Sequence, residues 1–136
     1  MTINEAFRSA IEYRKFMIEN ANRDSNGRLN NIATDFYQVL GKIRDFLLVP
    51  ENINRDLLVF MAKPDISDSL GPLIDLIQPR ELQVEVRYRI SVGLSVEIDR
   101  LVEKERKYSL LGLNDMEAMQ SCKKLEKYLE EYYAKA

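Results

Sequence analysis

Residues 82–98 read LQVEVRYRISVGLSVEI, and this stretch decides the fold because apolar residues alternate in it with polar residues or glycine. Strict alternation is typical of a half-buried β-strand. Three features favour a helix instead. Pro79 and Glu81 are typical of a first helical turn, the continuation through Leu101 and Val102 has helical spacing, and no second segment has the pattern of a partner strand. We therefore predict one long helix over residues 80–110, with a hairpin turning at Gly93 as the alternative.

Two long helices are predicted before this stretch. Thr2 and Glu5 form a capping-box pattern at the start of a helix over residues 3–21. The polar residues 22–27 then predict a loop. Residues 29–48 carry the strongest helical signal in the chain, because apolar side chains recur there at intervals of three and four over five turns.

Short helices are predicted between the second and the long helix. Pro50 can open a third helix, which Pro64 would end. A further short apolar helix is predicted over residues 73–77, ahead of Pro79.

The last helix is predicted from a glycine and a second capping pattern. Gly112 should close the long helix, and Asn114 with Glu117 should open the final one. Its apolar residues repeat with 4-3-4-3 spacing, which gives a narrow apolar seam: Ala118, Cys122, Leu125, Leu129 and Tyr132. The sequence thus predicts an all-α protein, a single-domain antiparallel helical bundle over residues 1–136 with four main helices plus short connecting helices.

Composition excludes several functional classes. The chain has 136 residues, 20 basic and 22 acidic side chains, one cysteine and no histidine. A single thiol without histidine provides neither a Cys/His metal cluster nor a Cys-His catalytic pair. No signal peptide or membrane-length apolar run is present, so we expect a cytoplasmic protein with no membrane partner.

The sequence also lacks the motifs of common cofactor sites. Its five glycines are isolated, so they form neither a phosphate-binding loop nor a dinucleotide fingerprint. Cys122 lies on the apolar seam, where a thiol usually behaves as a small buried hydrophobe. Tyr128 and Tyr132 are expected to pack rather than to stack on bases. We therefore predict that the chain is not an enzyme and uses no cofactor and no metal.

Several segments resemble the small helical subunit of CRISPR effector complexes, closest to the type III (Csm) kind. They are residues 42–47 (KIRDFL), 82–88 (LQVEVRY), 100–104 (RLVEK) and 122–125 (CKKL), with the tyrosine-rich end at Tyr128, Tyr132 and Tyr133. The family has a Gly-Arg pair where this chain has Ser91 and Val92, so no contact is transferred to that point.

The resemblance implies a non-catalytic subunit that stacks in more than one copy along a guide-RNA ribonucleoprotein. Its partners would be the backbone and large subunits of the complex, further copies of itself, and the guide RNA and target strand, whose phosphates it would bind without reading sequence. The candidate phosphate-binding residues are Lys42, Arg44, Arg87 and Arg89. Related type I small subunits resemble a detached part of the large subunit, so the target is either RNA or DNA.

The alternative is a helical protein-interaction regulator with no nucleic-acid role. Residues 112–115 (GLND) and the Tyr132-Tyr133 end are similar to the helical hairpins of Spo0E-like sporulation regulators, although residues 122–126 (CKKLE) depart from that family's central signature. A generic adaptor or inhibitor that docks through the C-terminal seam is the other form of this alternative.

Overall fold

The computed structural model describes residues 1–21 and 28–135. Within these two ranges the chain forms six α-helices and one 3-10 turn, and no strand. In chain order they are α1 (Ile3–Glu19), α2 (Arg28–Leu47), the 3-10 turn Pro50–Asn52, α3 (Arg55–Met61), α4 (Pro64–Ile74), α5 (Leu82–Tyr108) and α6 (Leu113–Ala134). The predicted all-α bundle of four main helices and short connecting helices is confirmed. The loop predicted over residues 22–27 lies outside the described residues.

The alternating stretch is helical, and α5 shows how a helix accommodates alternation. Residues two apart in a helix lie about 200° apart around its axis, so alternate apolar residues are divided between two sides. Val86, Ile90 and Leu94 are buried in the core, whereas Val84 and Tyr88 are exposed. The predicted strand alternative is excluded, and four of the nine apolar residues that suggested it are exposed on the outer side of the bundle.

The first two helices begin and end close to their predicted bounds. The capping box is present, since the Thr2 hydroxyl accepts a hydrogen bond from the Glu5 backbone N–H at 3.1 Å and the Glu5 carboxylate accepts one from the Thr2 backbone N–H. α1 packs against α2. Their inner faces supply much of the core, including Ala6, Phe7, Ala10, Phe36, Leu40, Ile43 and Leu47.

The region between α2 and α5 differs from the prediction in two respects. The helix predicted from Pro50 is interrupted, because the Asn54 side chain caps a new helix by accepting a hydrogen bond from the Leu57 backbone N–H at 3.0 Å. Pro64 begins α4 rather than only ending α3, and α4 ends at Ile74, so the separate helix predicted over residues 73–77 is wrong. Proline is compatible with a first helical turn, where its missing N–H has no partner to lose.

The connection between α5 and α6 also corrects the sequence prediction. α5 is closed by Ser109, which has a left-handed φ of 60° and donates its backbone N–H to the Glu105 carbonyl. Gly112 is instead the N-cap residue of α6, with φ of −68°, and as a glycine it provides no side-chain cap. Asn114 therefore lies inside the first turn of α6 and does not cap it.

α5 and α6 run antiparallel, and contacts near both ends show this. Arg87 near the start of α5 lies over the ring of Tyr133 at the end of α6. Lys104 near the end of α5 contacts Asp115 at the start of α6. The predicted seam of α6 faces inward, since Ala118, Cys122 and Leu125 are each no more than 1% exposed. Those three residues of the seam belong to the bundle's own core, whereas Leu129 and Tyr132 are half-buried.

Glycine lets α5 approach the segment after α2 closely. A Cβ atom at Gly93 would lie 2.4 Å from Cγ2 of the buried Ile53, whereas a Cβ atom at Gly41 would meet only the Arg44 side chain, at 3.7 Å. Both glycines lie within helices, where alanine is favoured over glycine by about 1 kcal/mol. The two positions therefore differ in packing and not in helix propensity.

We predict that Gly93→Ala lowers the free energy of unfolding by about 1 kcal/mol, because the overpacking cost of roughly 1–3 kcal/mol exceeds the gain in helix propensity. Gly41→Ala is the matched control and should raise that free energy by up to about 1 kcal/mol. Urea denaturation followed by circular dichroism measures both. Equal stabilisation by the two substitutions would contradict the close packing of α5 on Ile53.

Candidate interaction surface

A groove of about 540 Å³ runs between α5 and α6 and opens to solvent. Apolar side chains from both helices and from the end of α4 line much of it, among them Ile74, Ile90, Leu94 and Leu129. Its α6 side carries Glu126 and Glu130, which are one helical turn apart. Neither carboxylate forms an ion pair with another described residue. The groove thus combines an apolar interior with an acidic rim.

Arg87 and Tyr133 form one end of this groove. The guanidinium carbon of Arg87 lies 3.6 Å from the centre of the Tyr133 ring, and such a cation–π contact holds the charged group at the surface. Tyr133 in turn packs edge-on against Tyr132, with ring centres 5.0 Å apart. Burial raises the pKa of Tyr133 above its usual range. Its buried hydroxyl group has no hydrogen-bond partner among the described residues.

The outer side of α5 carries a regular stripe that we call the outer stripe. It consists of six residues with 4-3-4-3-4 spacing: Val84, Tyr88, Ser91, Ser95, Ile98 and Val102. Val84 is 67% exposed, Tyr88 59% and Val102 49%, while Ile98 is half-buried. This spacing is that of the a and d positions of a coiled coil, and it gives a continuous face along a helix. The first four members also line the groove.

The four basic residues predicted to bind phosphates have different environments. Lys42 is exposed on α2 and forms no ion pair within the described part of the chain. Arg44 is tied to the Asp45 carboxylate at 2.8 Å and also donates a hydrogen bond to the Gln78 carbonyl. Arg89 is paired with Glu85 at 2.8 Å. Arg87 is exposed over Tyr133.

The structure does not bring these four residues together on one face. Lys42 and Arg44 are two positions apart on α2, and Arg87 and Arg89 are two positions apart on α5. Side chains two residues apart lie about 200° apart around a helix axis, so each pair is divided between two sides. Lys42 and Arg87 have no acidic partner in the part of the chain that the structure describes, whereas Arg44 and Arg89 are paired with carboxylates.

A buried ionic network joins α3, α5 and α6, and the sequence did not reveal it. Arg55 contacts Glu97 at 2.8 Å and Asp115 at 2.9 Å, so it bridges α5 and α6. Arg100 contacts Glu97 at 2.6 Å, and Lys104 contacts Asp115. Glu97 and Asp115 are 8% and 7% exposed, and paired charges are the usual way that carboxylates are buried. This network fixes the distance between the helices that form the groove.

The protonation of the network follows from these contacts. Burial of Glu97 acts to raise its pKa, but hydrogen bonds from Arg100 and Arg55 outweigh burial and hold the pKa below its usual range. Hydrogen bonds from Lys104 and Arg55 likewise lower the pKa of Asp115. Both carboxylates are therefore ionised at neutral pH. Because both carboxylates are held in ion pairs, neither is free to act as a general base.

Cys122 lies in the core beside this network. Its side chain is fully buried, as the sequence predicted, and burial raises the pKa of the thiol to about 11. At neutral pH the group is therefore a thiol rather than the reactive thiolate. Tyr132 packs against Gly71 and donates a hydrogen bond to Asp75.

Comparisons with the profiles of known protein families, with curated proteins and with solved structures found no match. Across residues 1–21 and 28–135, no group of three or more Cys, Asp or Glu is arranged to hold a metal ion. None of the described helices has both the length and the apolar character needed to cross a membrane.

We predict that Glu97→Gln lowers the free energy of unfolding at pH 7 by about 1–3 kcal/mol, because two arginines lose a buried partner that is only partly screened by solvent. A carboxylate with a lowered folded-state pKa stabilises the protein above its unfolded pKa, and this contribution is lost as pH falls through the folded value. The difference from wild type should therefore shrink as the pH is lowered below about 4.

The matched control is Glu103→Gln on the same helix, because Glu103 is exposed and lies 3.7 Å from Arg106. Its effect should stay below about 0.5 kcal/mol. Urea denaturation at pH 7 and at lower pH measures both variants. An equal effect of the two substitutions, or a Glu97→Gln effect that does not change with pH, would contradict the structural role given to the network.

Proposed function

We propose that this chain is a non-catalytic helical subunit that takes its place in a larger cytoplasmic assembly through the outer side of α5. The observation that carries the proposal is the outer stripe, where Val84, Tyr88 and Val102 expose between about half and two-thirds of their side-chain surface on a single helix face. Exposed apolar side chains at helical spacing are a feature of protein-contact sites.

The state of the reactive groups supports a binding role rather than catalysis. The two most buried carboxylates, Glu97 and Asp115, are held in ion pairs, and the Cys122 thiol is enclosed in the core. A catalytic site needs a free acid, base or nucleophile within reach of a substrate. The groove between α5 and α6 has two carboxylates without ion pairs among the described residues, Glu126 and Glu130, but they lie at its rim beside apolar side chains, serines and a stacked arginine. Such a lining suits contact with another macromolecule.

The resemblance to CRISPR small subunits gives the proposal a more specific form. In this form the chain is a small subunit of a guide-RNA ribonucleoprotein and follows the phosphates of the target strand, with sequence read by base pairing. Lys42 and Arg87 are the favoured phosphate contacts among the four predicted residues, because Arg44 and Arg89 already have carboxylate partners. Arg87 keeps its charge at the surface over Tyr133.

We predict that Val84→Asp releases the chain from its native assembly, because a carboxylate in the outer stripe opposes burial of that face. Val96→Asp is the matched control: Val96 lies on the same helix and is 61% exposed, against 67% for Val84, but it is about 120° further round the axis. Native size-exclusion chromatography of tagged chains measures assembly. Retention of Val84→Asp in the wild-type assembly would contradict the proposal.

The components that co-purify with the wild-type chain identify the kind of assembly. Guide RNA together with large protein subunits would support the CRISPR form, and a single signalling protein without nucleic acid would support the helical-regulator alternative. Val84→Asp should lose these components, whereas Val96→Asp should keep them. Mass spectrometry and RNA sequencing of the purified complex provide the measurement.

We predict that the isolated chain binds single-stranded nucleic acid weakly and without sequence preference, and that raised salt abolishes the binding, because phosphate contacts release counterions. Lys42→Glu combined with Arg87→Glu should remove the binding. Lys15→Glu combined with Lys123→Glu changes the net charge equally and should keep most of it. Fluorescence anisotropy with labelled RNA and DNA oligonucleotides measures the affinity. Tight, sequence-selective binding at high salt would contradict the CRISPR form.

A further inference from the structure

The outer stripe pairs side chains of similar size when two copies of α5 run antiparallel. Its 4-3-4-3-4 spacing reads the same in both directions, so the six positions pair by spacing alone, whereas the match in size and character of the paired side chains is not required by the spacing. Residues of two antiparallel helices lie at the same level when their numbers have a constant sum. With a sum of 186 the six members of the stripe pair completely: Val84 with Val102, Tyr88 with Ile98, and Ser91 with Ser95. The centre of the pairing lies at the level of residue 93, between Ser91 and Ser95, while Gly93 itself faces Ile53 on the opposite side of the helix.

From this match of paired side chains we propose that the partner of the outer stripe is a second copy of this chain, bound through an antiparallel α5–α5 contact with two-fold symmetry. The inference rests on the proposed function, since it names the occupant of the same surface. It describes a closed dimer, because an isologous contact uses the same patch on both copies. The resemblance to CRISPR small subunits implies an open stack and does not lead to this arrangement.

The sizes of the side chains fit this pairing. At the centre, the small residues Ser91 and Ser95 of both copies allow the helices to approach closely, and their hydroxyl groups can hydrogen-bond across the contact. Toward each end, the larger pairs Tyr88 with Ile98 and Val84 with Val102 fill the wider space as the helices diverge. The stripe spans 18 residue steps from Val84 to Val102, or roughly 27 Å of helix.

Charges at the two ends of the pair are complementary. In the same register, Glu81 of one copy lies one residue step from the level of Arg106 of the other. Glu81 is the N-cap residue of α5 and has helical φ and ψ of −60° and −28°, so the 100° rotation per residue places it on the same side of the stripe as Arg106. Each Glu81 therefore faces Arg106 of the second copy. Both side chains are exposed in the single chain.

The acidic rim of the groove limits the affinity of this dimer. α6 lies on the same side of α5 in both copies, and Glu126 lines the groove together with Leu94 and Ser95, close to the central level. The two Glu126 side chains therefore approach each other near the axis and repel. A single helix pair is also at the small end of specific interfaces, so we expect a dissociation constant in the micromolar range, about 1–100 μM.

Cysteine cross-linking tests both the partner and the register. Ser91→Cys chains mixed with Ser95→Cys chains should oxidise rapidly to a covalent dimer, because the two positions face each other. Either variant alone places its thiols about 6 Å apart along the axis and should cross-link much more slowly. The native Cys122 is fully buried and stays outside the reaction. Non-reducing electrophoresis reports the yields.

Sedimentation over a range of concentrations provides the second measurement. The wild-type chain should pass from monomer to dimer, Val84→Asp should remain monomeric at concentrations where Val96→Asp dimerises, and Glu126→Gln should strengthen the dimer. A monomer at all concentrations, or equal cross-linking by each single variant and by the mixture, would overturn the inference. If the chain is monomeric at all concentrations but Val84→Asp still abolishes its binding to a different protein, the proposed function stands. The proposal of a second copy as the partner is then wrong.

Discussion

The geometry of α5 is the constraint on which the rest of the structure depends. Alternate residues of a helix lie about 200° apart, so a sequence that alternates strictly between apolar and polar residues cannot bury all its apolar side chains against one neighbour. In α5, Val86, Ile90 and Leu94 enter the core, while Val84 and Tyr88 remain exposed. The helix therefore stabilises the bundle with one side and presents an apolar surface with the other.

Contacts between α5 and α6 fix the groove that borders the outer stripe. The network centred on Arg55 holds Glu97 of α5 and Asp115 of α6, and Arg87 contacts Tyr133 at the opposite end of the helix pair. Because these contacts fix both ends, the groove between the helices has a set width. Replacing one member of a buried pair leaves its partner charged and without compensation, so we expect single substitutions in the network to lower stability more than loss of a surface pair does.

Much of the fold could be predicted from the sequence, since the periodicity of residues 29–48 and the Thr2–Glu5 capping box are local signals. The errors came from signals that are local but ambiguous. Proline is found both after the end of a helix and at its first turn, so the sequence predicts the end of α3 at Pro64 but not the start of α4 there. The left-handed conformation of Ser109 has no signal in the sequence comparable to a glycine. The predicted basic residues were identified as charges, but their partners Asp45 and Glu85 depend on side-chain geometry. The Arg55 network joins residues that are 42 and 60 positions apart, and no spacing rule connects them.

The central claim is that residues 82–98 form a helix with an outer apolar side that is free for a partner. Nuclear magnetic resonance on the dilute isolated chain tests it most directly, through backbone chemical shifts and the attenuation of methyl signals by a soluble paramagnetic agent. The account predicts helical shifts throughout, strong attenuation at Val84 and Val96, and little at Val86 and Leu94. With rising concentration, Val84 should become protected and Val96 should not. Extended shifts over residues 82–91, or equal attenuation of Val84 and Val86, would contradict it.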